Sequence, residues 1–344
     1  MSRRFPIWLK QLRSHPHKRR RSRGFTLIEL LVALLVGSII TLLLLGLVVR
    51  LTETNARDAA YSQVQQDMQA AIDFINEDLR EAVFVYNGQC LQGTGVPGDA
   101  NFTQVCPGIV NYIPAAMNSG ERRSVLAFWR TEPLPVGIDD LCRANVAGIA
   151  DGSADLLLQN VCISGSTYTL VVYAIDTSND ATWRGKARIY RYALPQFADN
   201  ATTVTETPGY ARPKEGEFLQ WPFTRDDNTG NVVDARRGAP SNPAQVLVDY
   251  VDDGVNPPAP ATAITPNCDE FGANSLSPGG ALPSFYACVR GGGIGSPTGQ
   301  NQDVLVTLVG SPAGLPGFPG RGSDLRPLSP LQSRTLVRGI LQKR

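Results

Sequence analysis

The chain has 344 residues, with 32 Lys and Arg against 31 Asp and Glu, a formal net charge of +1, and 33 Gly and 25 Pro. At 42% hydrophobic and 18% charged it has enough apolar residues for a folded core, which excludes a wholly disordered or collagen-like chain. Its length suits two domains, or one domain with long excursions.

The near-neutral total averages over a very uneven chain. Residues 1–24 hold Arg3, Arg4, Lys10, Arg13, Lys18, Arg19, Arg20, Arg21 and Arg23, nine cations with no acid, together with both histidines, His15 and His17. Taking nine from 32 leaves 23 basic side chains against 31 acidic ones, so the rest of the chain carries a net charge of −8. Removal of residues 1–24 would leave no histidine, which would exclude Ser-His-Asp and Cys-His catalysis and His-ligated zinc.

From Phe25 to Val49 the chain reads FTLIELLVALLVGSIITLLLLGLVV, and Glu29 is its one ionisable side chain. About 20 such residues cross a bilayer as a helix. A cleaved signal has an apolar core of roughly 7–15 residues followed by a small-x-small cut site. This run is longer, and Arg50-Leu51-Thr52-Glu53 offers no such site. The cations before the run, against Arg50 and Arg57 just after it, predict a cytoplasmic N-terminus and an extracytoplasmic remainder. The basic run Lys18–Arg21 is therefore read as a topology signal and a contact for anionic lipid, with no nucleic-acid partner.

Glu29 stands near the start of the span, where a carboxylate is costly unless it stays hydrated at the interface or is neutralised. The segment Arg23-Gly24-Phe25-Thr26-Leu27-Ile28-Glu29-Leu30 closely resembles the processing site of type IV prepilins and type II secretion pseudopilins. That resemblance implies cleavage after Gly24 by a prepilin peptidase, N-methylation of Phe25, and Glu29 as the fifth mature residue, used in assembly. In a stack of parallel helices such a Glu can neutralise the terminal amine of a neighbouring subunit, and low dielectric makes that pairing strong and directional.

Arg50–Tyr86 lacks both Pro and Gly. Its apolar positions Val64, Met68, Ile72, Ile75, Leu79, Ala82 and Val83 recur at spacings of three and four, one stripe of an amphipathic helix. Asp67, Asp73, Glu77, Asp78, Arg80 and Glu81 fall on other faces. The pattern predicts one helix from about Phe25 to about Tyr86, roughly 90 Å long, ended by Asn87-Gly88.

Beyond Gly88 the chain consists of short β runs between Gly, Pro, Asn and Ser. The predicted strands are Val125–Arg130, Thr167–Asp176, Ala187–Ala193, Val246–Val251, Phe285–Arg290 and Val304–Val309, with Leu336–Leu341 as a last one. Several alternate apolar and polar, as half-buried antiparallel strands do. Gly93–Pro107, Val255–Pro266 and Gly310–Pro330 are read as loops. The expected fold is α+β and pilin-like: a long N-terminal transmembrane helix packed on a mostly antiparallel sheet head with loop-rich insertions. The organisation is 1–24 basic leader, 25–49 transmembrane and filament-core helix, 50–86 its amphipathic continuation, and 87–344 extracytoplasmic head.

All six cysteines, Cys90, Cys106, Cys142, Cys162, Cys268 and Cys288, follow the span. An even count in an exported domain reads as a disulfide framework. Of 15 connectivities, local closure favours Cys90–Cys106, Cys142–Cys162 and Cys268–Cys288, each around a Gly- or Pro-rich loop. The absence of C-x-x-C argues against zinc and against redox catalysis.

Asp226, Asp227 and Asn228, in the run DDNTGN, offer oxygen ligands that calcium could use. The EF-hand Glu is missing, so a solvated turn is preferred over a metal site. Asp139-Asp140 and Asp252-Asp253-Gly254 are likewise read as turns, and Gly291-Gly292-Gly293-Ile294-Gly295 as a flexible loop, since it lacks the Lys-Ser/Thr of a phosphate cradle. No catalytic residue and no cofactor is assigned.

Ile75–Ala82, INEDLREA, resembles the D-L-R/Q-x-A segment of minor pilins of the PilW kind and minor pseudopilins of the J kind. The stretch DLREAVFVY, followed by VLAFWR, is similar to cyanobacterial pseudopilins linked to hormogonium polysaccharide secretion and gliding. These resemblances imply a non-enzymatic subunit that primes or tips a filament for secretion, adhesion or motility. Its partners would be other minor and major pilins or pseudopilins, the prepilin peptidase, the inner-membrane assembly platform and membrane lipid. It would sit in the cytoplasmic membrane with its head outside, and in the filament after assembly. Two other classes stay open: a single-pass anchored binding protein that never polymerises, and an anchored hydrolase using Ser, Lys or carboxylates.

Overall fold

A computed structural model describes residues 24–214, 217–255, 266–280, 284–296, 301–318, 320 and 328–337. The basic leader, Lys18–Arg21, His15 and His17 lie outside the described residues, as do most of the expected loop Val255–Pro266 and residues 338–341. The chain divides into two compact units, Met1–Glu53 and Thr54–Arg344.

Helix α1 (Leu27–Arg80) opens the described structure, followed by strand β1 (Ala82–Val85) and the short helix α2 (Gly88–Gln92). Strand β2 (Arg122–Pro133) leads into three helices, α3 (Val136–Ala144), α4 (Val146–Ala150) and α5 (Leu156–Ser164). Next come β3 (Ser166–Asp176), β4 (Ala187–Pro195), β5 (Phe223–Arg225), β6 (Val232–Asp234) and β7 (Gln245–Val251). Strands β8 (Leu276–Ser277), β9 (Phe285–Arg290), β10 (Gln302–Leu308) and β11 (Leu331–Val337) complete the order. Pairing is antiparallel throughout the described ladders: a five-stranded sheet β1-β2-β3-β4-β7, a four-stranded sheet β11-β10-β9-β8 and a hairpin β5-β6. The fold is α+β, a long apolar-headed helix followed by mostly antiparallel sheets.

Within the second unit, α1 lays Val64, Met68, Ile72, Ile75 and Leu79 into one core with Phe128 and Tyr173 of the larger sheet and Ala287, Val304 and Val306 of the smaller. This is the stripe that the periodicity predicts. The larger sheet has a second core on its other face. Trp129, Leu170, Val172 and Tyr192 pack there with Tyr86, Leu91, Ile109 and Trp221. Strand β2 is consequently buried without a break from Ser124 to Trp129. The expected half-buried alternation fails here because the chain covers both faces.

Four further expectations change. Helix α1 stops at Arg80, short of Tyr86, because Ala82–Val85 pairs with β2 through Ala82↔Arg130, Phe84↔Trp129 and Val85↔Phe128. Asn87 then starts a helix instead of ending one: its Oδ1 accepts from the Cys90 amide at 2.9 Å, an N-cap for α2. The helices α3–α5 were not anticipated. Yet Asp155 caps α5 by accepting from the Leu157 and Leu158 amides, and Gly165 ends it in the left-handed conformation. Strand β11 begins at Leu331, ahead of the expected Leu336, and its inward positions include Ser333 and Thr335 rather than Leu336. Those two hydroxyls bond Asn76 of α1 at 2.7 and 3.1 Å.

Asp78 is also misplaced by the stripe argument. It is 4% exposed, on the sheet side of α1. Its Oδ1 accepts from Arg130 Nη1 at 2.6 Å and Arg191 Nη2 at 3.3 Å. Its Oδ2 accepts from the Tyr173 hydroxyl at 2.5 Å and Arg191 Nε at 2.8 Å. One carboxylate thus binds β2, β3 and β4 to the helix. Arg130 also pairs with Glu81 at 3.2 Å and with Glu132, so it does not depend on Asp78 for all its bonds, whereas Arg191 makes both of its carboxylate bonds to Asp78. Burial, and then the Asp78 charge, push the Tyr173 hydroxyl pKa up, which keeps it a donor.

Breaking a buried pair by removing one partner costs about 3–5 kcal/mol. Asp78→Ala is therefore expected to lose roughly 3 kcal/mol of stability, and Asp78→Asn less, since an amide oxygen can still accept from Tyr173. Chemical denaturation of both variants measures this. An Asp78→Ala loss under about 0.5 kcal/mol, the range of neutral surface changes, would refute the anchoring role.

Candidate functional site

The first unit contains the segment singled out by sequence. Gly24, Phe25 and Thr26 precede the first turn of α1. A Cβ built on Gly24 would meet nothing within 4 Å, so the fold of the chain places no demand for glycine there. Phe25 is 78% exposed. Thr26 caps the helix: its Oγ1 accepts from the Glu29 amide at 3.3 Å, and its carbonyl accepts from the Glu29 and Leu30 amides at 3.0 and 3.2 Å. The sequence reading missed Thr26, although Thr-x-x-Glu at the head of an apolar run is a capping-box pattern. Glu29 lies in the first turn, where the helix dipole favours a carboxylate.

Every described residue from Gly24 to Asn55 is exposed. This helix is long and apolar enough to cross a membrane. Its hydroxyls are satisfied internally: Ser38 donates to the Leu35 carbonyl and Thr41 to the Gly37 carbonyl, both at 2.8 Å. Internal pairing is what hydrocarbon demands, because it offers no water to bond a bare hydroxyl.

In the second unit the cysteines join as Cys90–Cys106, Cys142–Cys162 and Cys268–Cys288, and no described cysteine is free. The first ties α2 to the loop before Gly108, the second ties α3 to α5, and the third ties a loop to β9. Disulfides limit the unfolded ensemble of such loop-rich segments.

The DDNTGN run forms the turn between β5 and β6. Asp226 Oδ1 accepts from the amides of Asn228 and Thr229 and from the Thr229 hydroxyl, at 2.8–3.0 Å. These bonds hold its carboxyl below the usual range, the Thr229 amide contributing most. Asp227 instead meets Lys214 Nζ at 2.8 Å. An ammonium already occupies one of the oxygens that a calcium ion would need. Among the described residues no three His, Cys, Asp or Glu side chains are grouped to hold a metal.

Asp139 and Asp140 lie on α3 rather than in a turn, and Asp139 pairs with Arg143 one helical turn on, at 2.5 Å. Asp252 does cap a turn, accepting from the Gly254 amide at 2.9 Å, but it is buried and faces Lys186. The glycine run is packed, not free. At φ +69° Gly292 sits so close to β1 that a Cβ would lie 1.9 Å from the Val85 carbonyl oxygen. Beside it, Gln302 of β10 donates to the Val85 carbonyl and accepts from the Val85 amide, both at 2.7 Å.

Residues 19–45, less than a tenth of the chain, match the family described as the prokaryotic N-terminal methylation motif. No curated protein and no solved structure matches the chain. The motif supports a type IV pilin-like protein. With the one helix among the described residues that is long and apolar enough to cross a membrane, it fits anchoring in the inner membrane.

Because Lys214 and the Asx turn use its oxygens, the DDNTGN turn is expected not to respond to calcium. Calorimetry of the detergent-solubilised chain should give the same melting temperature in calcium and in chelator. Since a site loaded to a hundred times its Kd adds about 2.7 kcal/mol, a calcium-dependent rise of several degrees that is lost in Asp226→Ala would establish a site there.

Proposed function

We propose that the chain is the precursor of a minor pilin or pseudopilin, a structural subunit rather than an enzyme. The methylation motif carries the reading, because it lies on an apolar helix that begins directly after Gly24–Thr26. A prepilin peptidase cuts after Gly24 on the cytoplasmic side, and Phe25 becomes the methylated N-terminus. Since a side chain at Gly24 would clash with nothing in the folded chain, the need for glycine falls on the processing enzyme.

The mature helix is withdrawn from the membrane into a filament, where apolar neighbours replace lipid. Glu29, with its backbone amide already bonded to Thr26, presents its carboxylate to the terminal amine of an adjacent subunit. In low dielectric this pair selects one axial stagger. The work comes from an assembly ATPase acting through the inner-membrane platform. Two features favour a minor subunit that primes or tips the filament: a head much larger than the helix requires, and the D-L-R-E-A segment. In that segment Asp78, Leu79 and Ala82 are buried at the joint between helix and sheet. Within the minor subunits, the similarity to cyanobacterial polysaccharide-secretion pseudopilins is the preferred assignment.

Intact mass of protein isolated from cells containing the peptidase should correspond to a chain beginning at methylated Phe25. A full-length chain in those cells would sink the pilin reading. Glu29→Ala and Glu29→Gln should both be cleaved normally, yet enter sheared filaments about tenfold less, equivalent to about 1.4 kcal/mol. Wild-type incorporation of both variants would refute the charge pairing while leaving the cleavage result intact.

A further inference from the structure

Strand β7 closes one edge of the five-stranded sheet, and its ladder with β4 is irregular. The partners are Ala187↔Val251, Ile189↔Val248, Tyr190↔Val246 and Arg191↔Gln245, with register shifts on both sides of Ile189. One step beyond Ala187↔Val251 stand Lys186 and Asp252, the next cross-strand positions of an antiparallel pair. Both are buried, at 5% and 7% exposure.

Their geometry is that of an ion pair without a direct hydrogen bond. Lys186 Nζ lies 3.6 Å from Asp252 Oδ1 and 3.6 Å from Asp253 Oδ1, beyond hydrogen-bond range to either. Asp252 is held from behind: its amide donates to the Val309 carbonyl at 2.9 Å, and its Oδ2 accepts from the Gly254 amide at 2.9 Å. Oδ1 is left facing the amine. Two buried charges at contact without a direct hydrogen bond are poorly compensated. Burial, the largest influence, pushes the Asp252 carboxyl up towards its neutral acid form.

We propose that Lys186 and Asp252 condense into an intramolecular isopeptide bond that covalently joins β4 to β7, with Asp253 as the proton carrier. A proton passes from the Lys186 ammonium to the Asp252 carboxylate, giving a neutral amine beside a neutral acid. The Nζ lone pair adds to Cγ of Asp252 and forms the C–N bond. The Asp253 carboxylate takes one proton from Nζ and delivers it to the hydroxyl on Cγ, whose C–O bond breaks as water leaves. One ammonium and one carboxylate become one amide and one water, so no oxidant, reductant or cofactor is required. The product removes both buried charges and locks an edge strand whose hydrogen-bond ladder is interrupted. The site stands independently of the filament reading.

The test is mass spectrometry of the full chain extracted from membranes, fully reduced and alkylated so that the three disulfides do not contribute. The expected result is an intact mass one water below that of the Lys186→Arg variant after correction for the substitution, with a branched tryptic peptide joining Lys186 to Asp252. Asp252→Ala should restore the missing water. Asp253→Ala, which keeps both bonding partners, should accumulate mostly the unlinked form. Trypsin cleavage after Lys186 in the wild-type chain, with a linear unmodified Asp252 peptide, would overturn the proposal even if the variants fail to fold. Full linkage in Asp253→Ala would overturn the role given to Asp253.

Discussion

The head is organised around one buried carboxylate. Asp78 projects from the last turns of α1 and accepts bonds from Arg130, Tyr173 and Arg191, one donor from each of three adjacent strands. Hydrophobic packing along Val64, Met68, Ile72, Ile75 and Leu79 brings helix and sheet together, but apolar contact is not directional. A charge taken out of water must have its partners in place, and this requirement selects one rotation and one axial position for the helix. Asn76 sets the same register towards the smaller sheet through Ser333 and Thr335.

With the helix fixed on one face of the larger sheet, its other face must be covered by the rest of the head. Trp129, Leu170, Val172 and Tyr192 occupy that face under segments that carry little regular structure. Trp129 is paired in place: its Nε1 donates to the Tyr86 hydroxyl at 2.8 Å, which donates to the Phe218 carbonyl at 2.6 Å. Disulfides hold the loops and short helices that would otherwise have few contacts to order them. Gln302 supplies Val85 with a side-chain substitute for a strand neighbour, which links the two sheets where β1 ends.

The first unit obeys a different constraint. The described residues of its helix are exposed, and their apolar side chains suit an environment outside the chain. Lipid and a bundle of like helices both meet that need. The polar atoms of the span are already satisfied within the helix, so exchange between the two environments would require no change in backbone hydrogen bonding. Glu29 is the exception, the one side chain of the span whose energy depends on what stands beside it.

Much of this was legible in the residues alone. Unbroken hydropathy gave the span, a three- and four-residue period gave the packed stripe of α1, and β-branched runs gave six strands close to their observed bounds, because these patterns express local backbone preference and burial on one side. The processing motif is equally local. What only tertiary structure decided were the contacts between distant segments. The stripe continued through Ala82 and Val83, yet strand pairing with β2 ended the helix first. Asp78 looked like a solvent residue until Arg130 and Arg191, far along the chain, surrounded it. Lys186 and Asp252 carry no shared motif and meet only because β4 and β7 run antiparallel side by side. Sequence periodicity reports which way a side chain faces on its own element, whereas the partner it meets is set by register between elements, and no local pattern encodes that register.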